Sequence, residues 1–334
     1  MLERKDGLYQ LGELGEPQKE NIFEGTVAGL FPGQGSQGAG MGFDLYQHSE
    51  AARRVFDEAD NALGFNFSEL IFTGSEGELR DTVNSQPAIM TVSMASFRAL
   101  KEALGDQMPP LRAVTGHSLG LYTSAVAAGV INFRDGVQLV RERGRLMKEA
   151  SEKQPGEMAA IIGLDESILE EICLETGVDI ANVNSNEQII ISGDRLAIAR
   201  TRDFAHQRGA RKTDLLPVSG AFHSRLMRPA QQGLRQAISG IDFKDPQVPI
   251  VANSRGLVLT TADDVRRELV RTLCGTVRWK DAVELMAKSG VTDFFEFGHG
   301  RILSTLLRQI NRDFKTFSIN SPDSIQKFAS EMGL

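Results

Sequence analysis

The chain has 334 residues, room for one large core and a smaller one, and its 41% hydrophobic and 24% charged content is that of an ordinary globular protein. Its 37 basic residues are outnumbered by 44 acidic ones, a net charge of −7; that leaves no cationic surplus for phosphates and argues against a nucleic-acid binder. Cys173 and Cys274 are too few for a disulfide framework or a metal cluster, and no apolar run reaches the roughly 18 residues of a membrane span.

Residues 1–25 are polar and lack the apolar centre of a secretory signal, so they read as an extension outside the main fold. A buried strand is expected at residues 26–31, followed by a loop carrying Gly33, Gly35, Gly38, Gly40 and Gly42. Helices are expected over 49–63 and 86–104, the second with Pro87 in its first turn. A short strand at 111–115 precedes a small, apolar helix at 119–128 and a charged amphipathic helix at 133–151. The texture then changes. Strand 156–163, helix 166–176, strands 178–183 and 188–192, helix 195–208 and strand 212–218 come in β-α-β-β-α-β order, the ferredoxin-like arrangement. Helix and strand patterns resume at 229–238, 248–252, 262–273, 279–289, 293–297 and 302–310. The fold class expected is α/β: a large α/β-hydrolase-like domain with a parallel sheet and an inserted ferredoxin-like subdomain. The boundaries are 26–152 and 222–320 for the large domain and 153–221 for the insert.

Gly116-His117-Ser118-Leu119-Gly120 places a serine between a predicted strand and a predicted helix. Glycines there permit a sharp turn that exposes the hydroxyl, and the helix N-terminus behind it favours an oxyanion. A plain glycine turn is the alternative. A nucleophilic serine needs a base, and the chain has five histidines: His48, His117, His206, His223 and His299. His48 and His206 fall on exposed helical segments, and His117 is adjacent to Ser118 on a turn. His223, at the edge of the insert, faces a domain junction where clefts form; His299, between Gly298 and Gly300, competes with it. The loop Phe31-Pro32-Gly33-Gln34-Gly35-Ser36-Gln37-Gly38 lacks the lysine of a phosphate-binding loop. It suits an oxyanion hole better, with the N–H near Gln34 paired with that of Leu119. Arg141, Arg143 and Arg145 share the charged helix; a solvated face is the default reading, and a fork onto a substrate carboxylate the alternative.

Taken together and in order, Phe-Pro-Gly-Gln-Gly-Ser-Gln (31–37), Gly-His-Ser-Leu-Gly (116–120), Arg143-Gly144 and Ala-Phe-His-Ser (221–224) resemble the malonyl-CoA:acyl carrier protein transacylases and the acyltransferases of polyketide synthases. The likeness runs from about Val27 to Ile310. It implies Ser118 as nucleophile, His223 as base, the N–H groups of Gln34 and Leu119 as oxyanion hole, and Arg143 as partner of the malonyl carboxylate. It also implies His117 in the site, Asn182 and Asn184 beside the cleft, and the main-chain carbonyl of Thr272 orienting the base. Phe222, with Leu119, is expected to narrow the pocket near the malonyl methylene. Some positions depart from the family pattern: Leu121 replaces Glu, Thr272 replaces Gln, Thr276 replaces Pro, and His299 replaces the Pro of Gly-Pro-Gly.

The function implied is ping-pong transfer of malonyl from malonyl-CoA to the phosphopantetheine thiol of an acyl carrier protein. Alternatives are a polyketide-pathway acyltransferase with malonyl or another dicarboxylic extender, and an acyl hydrolase using the same two residues. No metal and no cofactor are expected, coenzyme A thioester being the substrate. The other expectations are a monomer, no nucleic-acid or membrane partner, and a cytoplasmic location, which free thiols fit.

Overall fold

The computed structural model describes residues 3–5, 8–10, 26–254, 257–331 and 333. The expected extension, 1–25, lies largely outside the described residues; within it β1 (Glu3–Lys5) and β2 (Leu8–Gln10) pair antiparallel. The chain continues through β3 (Thr26–Phe31), β4 (Leu111–Gly116), β5 (Glu157–Ile162), β6 (Asp179–Val183), β7 (Gln188–Gly193) and β8 (Lys212–Leu215). It ends with β9 (Ile250–Val251), β10 (Val258–Leu259), β11 (Val291–Phe297) and β12 (Lys315–Ile319).

A six-stranded sheet runs in the order β10-β9-β4-β3-β11-β12. Its pairs are parallel except β10 with β9, which is antiparallel. Parallel central strands are covered on both faces and so are apolar along their length. In β3, Val27 and Phe31 join the core that includes Phe97 and Phe297, while Ala28 and Leu30 point the other way into a core with Trp279 and Met286. Each large apolar side chain removed from water in this way contributes about 1.5–3 kcal/mol.

The inserted segment forms a four-stranded antiparallel sheet, β6-β7-β5-β8, with helices Glu166–Thr176 and Arg195–Gln207. Backbone bonds join it to the larger sheet's side: Val183 N–H donates to Val277 O at 2.9 Å and Val277 N–H to Ala181 O at 2.8 Å. Arg278 adds ion pairs to Glu166 (2.8 Å) on the insert and to Asp281 (2.6 Å).

Two expectations are corrected, and three short helices join the elements expected. The helix expected from residue 86 is Thr82–Leu104, so Pro87 lies in its interior. Asp81 starts it earlier by accepting from Val83 N–H at 3.0 Å, and Lys148 holds Asp81 at 2.7 Å. The large fold also runs past residue 320. Helix Pro322–Glu331 sets Phe328 against Phe295 (4.9 Å between centroids) and Phe317 (5.2 Å). Finally, the short helices Phe43–His48, Phe67–Thr73 and Glu76–Arg80 lie beyond the glycine-rich loop, each too short to show an apolar period. Among the described residues no helix is long and apolar enough to cross a membrane.

Candidate active site

β4 ends at Gly116, and the chain turns sharply into helix Gly120–Ala127. His117 N–H donates to Phe31 O at 3.0 Å, which draws the turn against β3. At Gly120 an added Cβ would sit 1.9 Å from Phe31 O, so the approach admits no side chain. Ser118 itself has φ 52°, a left-handed conformation rare for a residue with a Cβ. Asn253 holds this turn from the end of β9. Its Oδ1 accepts from Ser118 N–H at 3.0 Å, and its Nδ2 donates to Gly116 O at 2.8 Å.

The turn presents Ser118 Oγ to His223, 2.6 Å from Nε2. His223 also has a positive φ, 57°. Its Nδ1–H donates to Thr272 O at 2.7 Å, with Gly275 O at 3.2 Å, which leaves Nε2 to accept the serine proton. Burial, then the charges of Arg143 and His117, push His223 down to about 3. The imidazole is therefore neutral at neutral pH, the form a general base requires.

Arg143 is 1% exposed. It projects from helix Phe133–Lys153, which lies close to helix Thr82–Leu104: a Cβ on Gly144 would meet Thr82 O at 2.3 Å. Arg143 Nη1 donates to Gln86 Oε1 at 2.6 Å and Nη2 to Ser118 Oγ at 3.1 Å; the guanidinium lies 5.0 Å from the Tyr122 ring centre. Its Nε–H is buried without an acceptor, and no described carboxylate pairs with the side chain. Arg141 and Arg145 differ from it: Arg141 stacks on Phe65 at 4.6 Å, and Arg145 pairs on the surface with Glu142 and Glu149.

Two further donors complete the geometry. The N–H of Leu119, at the start of helix Gly120–Ala127, and the N–H of Gln34, in the loop after β3, have no acceptor among the described residues. The Gln34 side chain is tied back to Ser85 Oγ at 3.1 Å.

Residues 30–310 match the acyl transferase domain family. The chain belongs to that family. It is 41% identical to the malonyl CoA-acyl carrier protein transacylase of Bacillus subtilis (strain 168), covering 90% of this chain and 95% of the relative. A crystal structure of acyl-carrier-protein-S-malonyltransferase from Bartonella henselae superposes with TM-score 0.88 at 39% identity, covering 92% of this chain and 100% of that one. A chain in the solved structure of a type II PKS acyl-carrier protein in complex with its malonyl-transacylase is also similar, with TM-score 0.88 at 36% identity over 92% of this chain and 99% of that one.

The other anticipated residues of this acyltransferase surround that centre. Thr272 contributes its carbonyl, and its own Oγ1 donates to Glu268 O at 3.0 Å, so the side chain stays out of the site. Phe222 is buried beside His223. The His117 ring turns away from Ser118 toward the smaller sheet, with Nε2 2.9 Å from Asn184 Oδ1 and 3.3 Å from Asn182 Nδ2. It braces the junction rather than bonding to Ser118, and burial lowers its pKa despite the bond to Asn184. His299 rests against Gly38, where an added Cβ would be 2.8 Å from its Nε2, and His48 bonds to Asp44 O at 2.8 Å. Neither is hydrogen-bonded to Ser118. Leu121, where the family has Glu, is fully buried in the main core.

Gln86, Tyr122, Asn253 and Gly275 were not anticipated. None lies in a motif whose spacing announces chemistry: Gln86 and Asn253 reach the site through long-range packing, while Tyr122 follows Ser118 on the same turn and helix and Gly275 follows Thr272. Among the described residues no group of three or more His, Cys, Asp or Glu could hold a metal ion.

Proposed function

We propose that this acyltransferase moves a malonyl group from malonyl-CoA to the phosphopantetheine thiol of an acyl carrier protein through a malonyl ester of Ser118. The observation that carries the reading is Arg143: a buried guanidinium with an orphaned N–H, 3.1 Å from the nucleophile and without a carboxylate of its own. A buried cation calls for an anion, and the free carboxylate of a malonyl group supplies one in fork geometry.

In the first half-reaction His223 Nε2 takes the Ser118 proton as Oγ bonds to the thioester carbonyl carbon. The N–H groups of Gln34 and Leu119 receive the oxyanion, a contribution of roughly 3–4 kcal/mol per donor in comparable sites. The carbon–sulfur bond then breaks, and His223 returns the proton to coenzyme A. The carrier thiol repeats the sequence in reverse. Proton transfer and oxyanion binding both come from the chain, so this chemistry requires no metal or cofactor. Phe222 and Leu119 limit space near the malonyl methylene, a discrimination of about 1–3 kcal/mol per methyl group. One chain carries Ser118, His223 and Arg143, which supports a monomer as the acting species; the two free thiols support a cytoplasmic setting.

Intact-protein mass tests the reading. Brief incubation with malonyl-CoA should add one malonyl group, absent in Ser118→Ala, and a phosphopantetheinylated carrier protein should remove it. An adduct that decays to free malonate without reaching the carrier would make the protein a hydrolase. Fatty-acid and type II PKS carrier proteins offered side by side would separate the two pathways.

A further inference from the structure

Ser118 Oγ is contacted from two sides. His223 Nε2 lies 2.6 Å away, and Arg143 Nη2 donates to the same oxygen from 3.1 Å. These contacts oppose each other. The imidazole prepares the oxygen to attack by taking its proton. The guanidinium occupies one of the two lone pairs of the hydroxyl and draws electron density from the attacking oxygen, and its positive charge disfavours the imidazolium that attack creates. Arg143 also has capacity to spare. Of its five N–H donors, Nη1 is engaged by Gln86 at 2.6 Å and Nη2 by Ser118, while Nε–H has no acceptor. A carboxylate entering beside Ser118 would offer two oxygens to this fork and cancel its charge.

We propose that Arg143 restrains Ser118 until the free carboxylate of the acyl group takes over its guanidinium, so that the carboxylate activates the acylation step as well as binding to it. The proposal rests on Arg143 being the carboxylate partner. Discrimination against acetyl and other uncharged acyl groups then appears in the rate of ester formation and not in binding alone. The bonds made and broken are those of the transfer itself: thioester and serine hydroxyl give ester and thiol.

The test divides malonyl into its parts. Acetyl-CoA supplies the thioester, and free formate supplies the carboxylate. Ser118 acetylation is followed by rapid quench and intact mass, with chloride at equal ionic strength as control. In the wild type, formate should raise the acetylation rate constant saturably, by about tenfold or more. Arg143→Met should acetylate faster than the wild type without formate, and formate should leave it unchanged. Formate that only inhibits the wild type, or that accelerates Arg143→Met equally, overturns the restraint. The carboxylate pairing is read separately, from malonyl-CoA kcat/KM in Arg143→Met. If that value stays at the wild-type level, the pairing fails and the restraint with it; if it collapses while formate does nothing, only the restraint fails.

Discussion

Burial and the nearby charges of Arg143 and His117 act on His223 in one direction, against the imidazolium, and the carbonyls of Thr272 and Gly275 only partly oppose them. A pKa near 3, against 6.5 for an ordinary imidazole, keeps His223 neutral through the mildly acidic range. The acid limb of kcat/KM for acylation should therefore lie well below pH 6.5, and loss of the charge in Arg143→Met should move it upward. An acid limb at the ordinary imidazole value in both proteins would refute this. The same shift links folding to pH. The unfolded chain takes up the proton as pH falls below about 6.5, so the stability attached to neutral His223 is intact above that value and is lost progressively toward pH 3. Of these features the residues themselves showed part. Ser118 stood out by its flanking glycines, whereas His223 was set ahead of His299 by its place at the domain junction and then by family likeness. The neutrality of His223 depends on groups that packing brings around it.

The strand–turn–helix unit of β4, Ser118 and helix Gly120–Ala127 was evident from local pattern, because its glycines and short apolar runs answer to neighbours in the chain. Its clamp was not. Asn253 follows β9, 135 positions from Ser118, and pairs with backbone groups on both sides of His117. Asn253→Ala would leave the Ser118 N–H and the Gly116 carbonyl unpaired in a buried turn, a cost of about 1–3 kcal/mol for each. Thermal unfolding should register that loss. Steady-state kinetics should show kcat reduced by roughly 10–100-fold with KM for malonyl-CoA little changed, since Arg143 is untouched. A variant with full kcat would mean that the elbow holds its shape without the clamp. The misplaced helix start has a related cause. Pro87 marks a first turn in many sequences, but the cap on Asp81 and the contact of Gly144 with Thr82 stabilise earlier turns.

The nucleophile belongs to the larger sheet, while His117 braces toward the smaller one through Asn182 and Asn184. The junction is thus part of the site's support. Arg278, whose side chain is 14% exposed, ties the two parts through Glu166 and is itself held by Asp281 on its own side. Arg278→Met should lower the urea-unfolding free energy by about 1–3 kcal/mol, because the partly buried carboxylate of Glu166 loses its ion pair with Arg278. Unchanged unfolding would show that the backbone bonds of Val277 suffice. Glycine turns, short apolar strands and the β-α-β-β-α-β order were readable in the sequence, because each depends on residues a few positions apart. Which histidine meets Ser118 across 105 positions, which arginine is buried without a carboxylate, and which asparagine holds the turn were settled by packing. Burial and hydrogen bonding between distant segments exist only once the chain has closed on itself, and no local spacing encodes them.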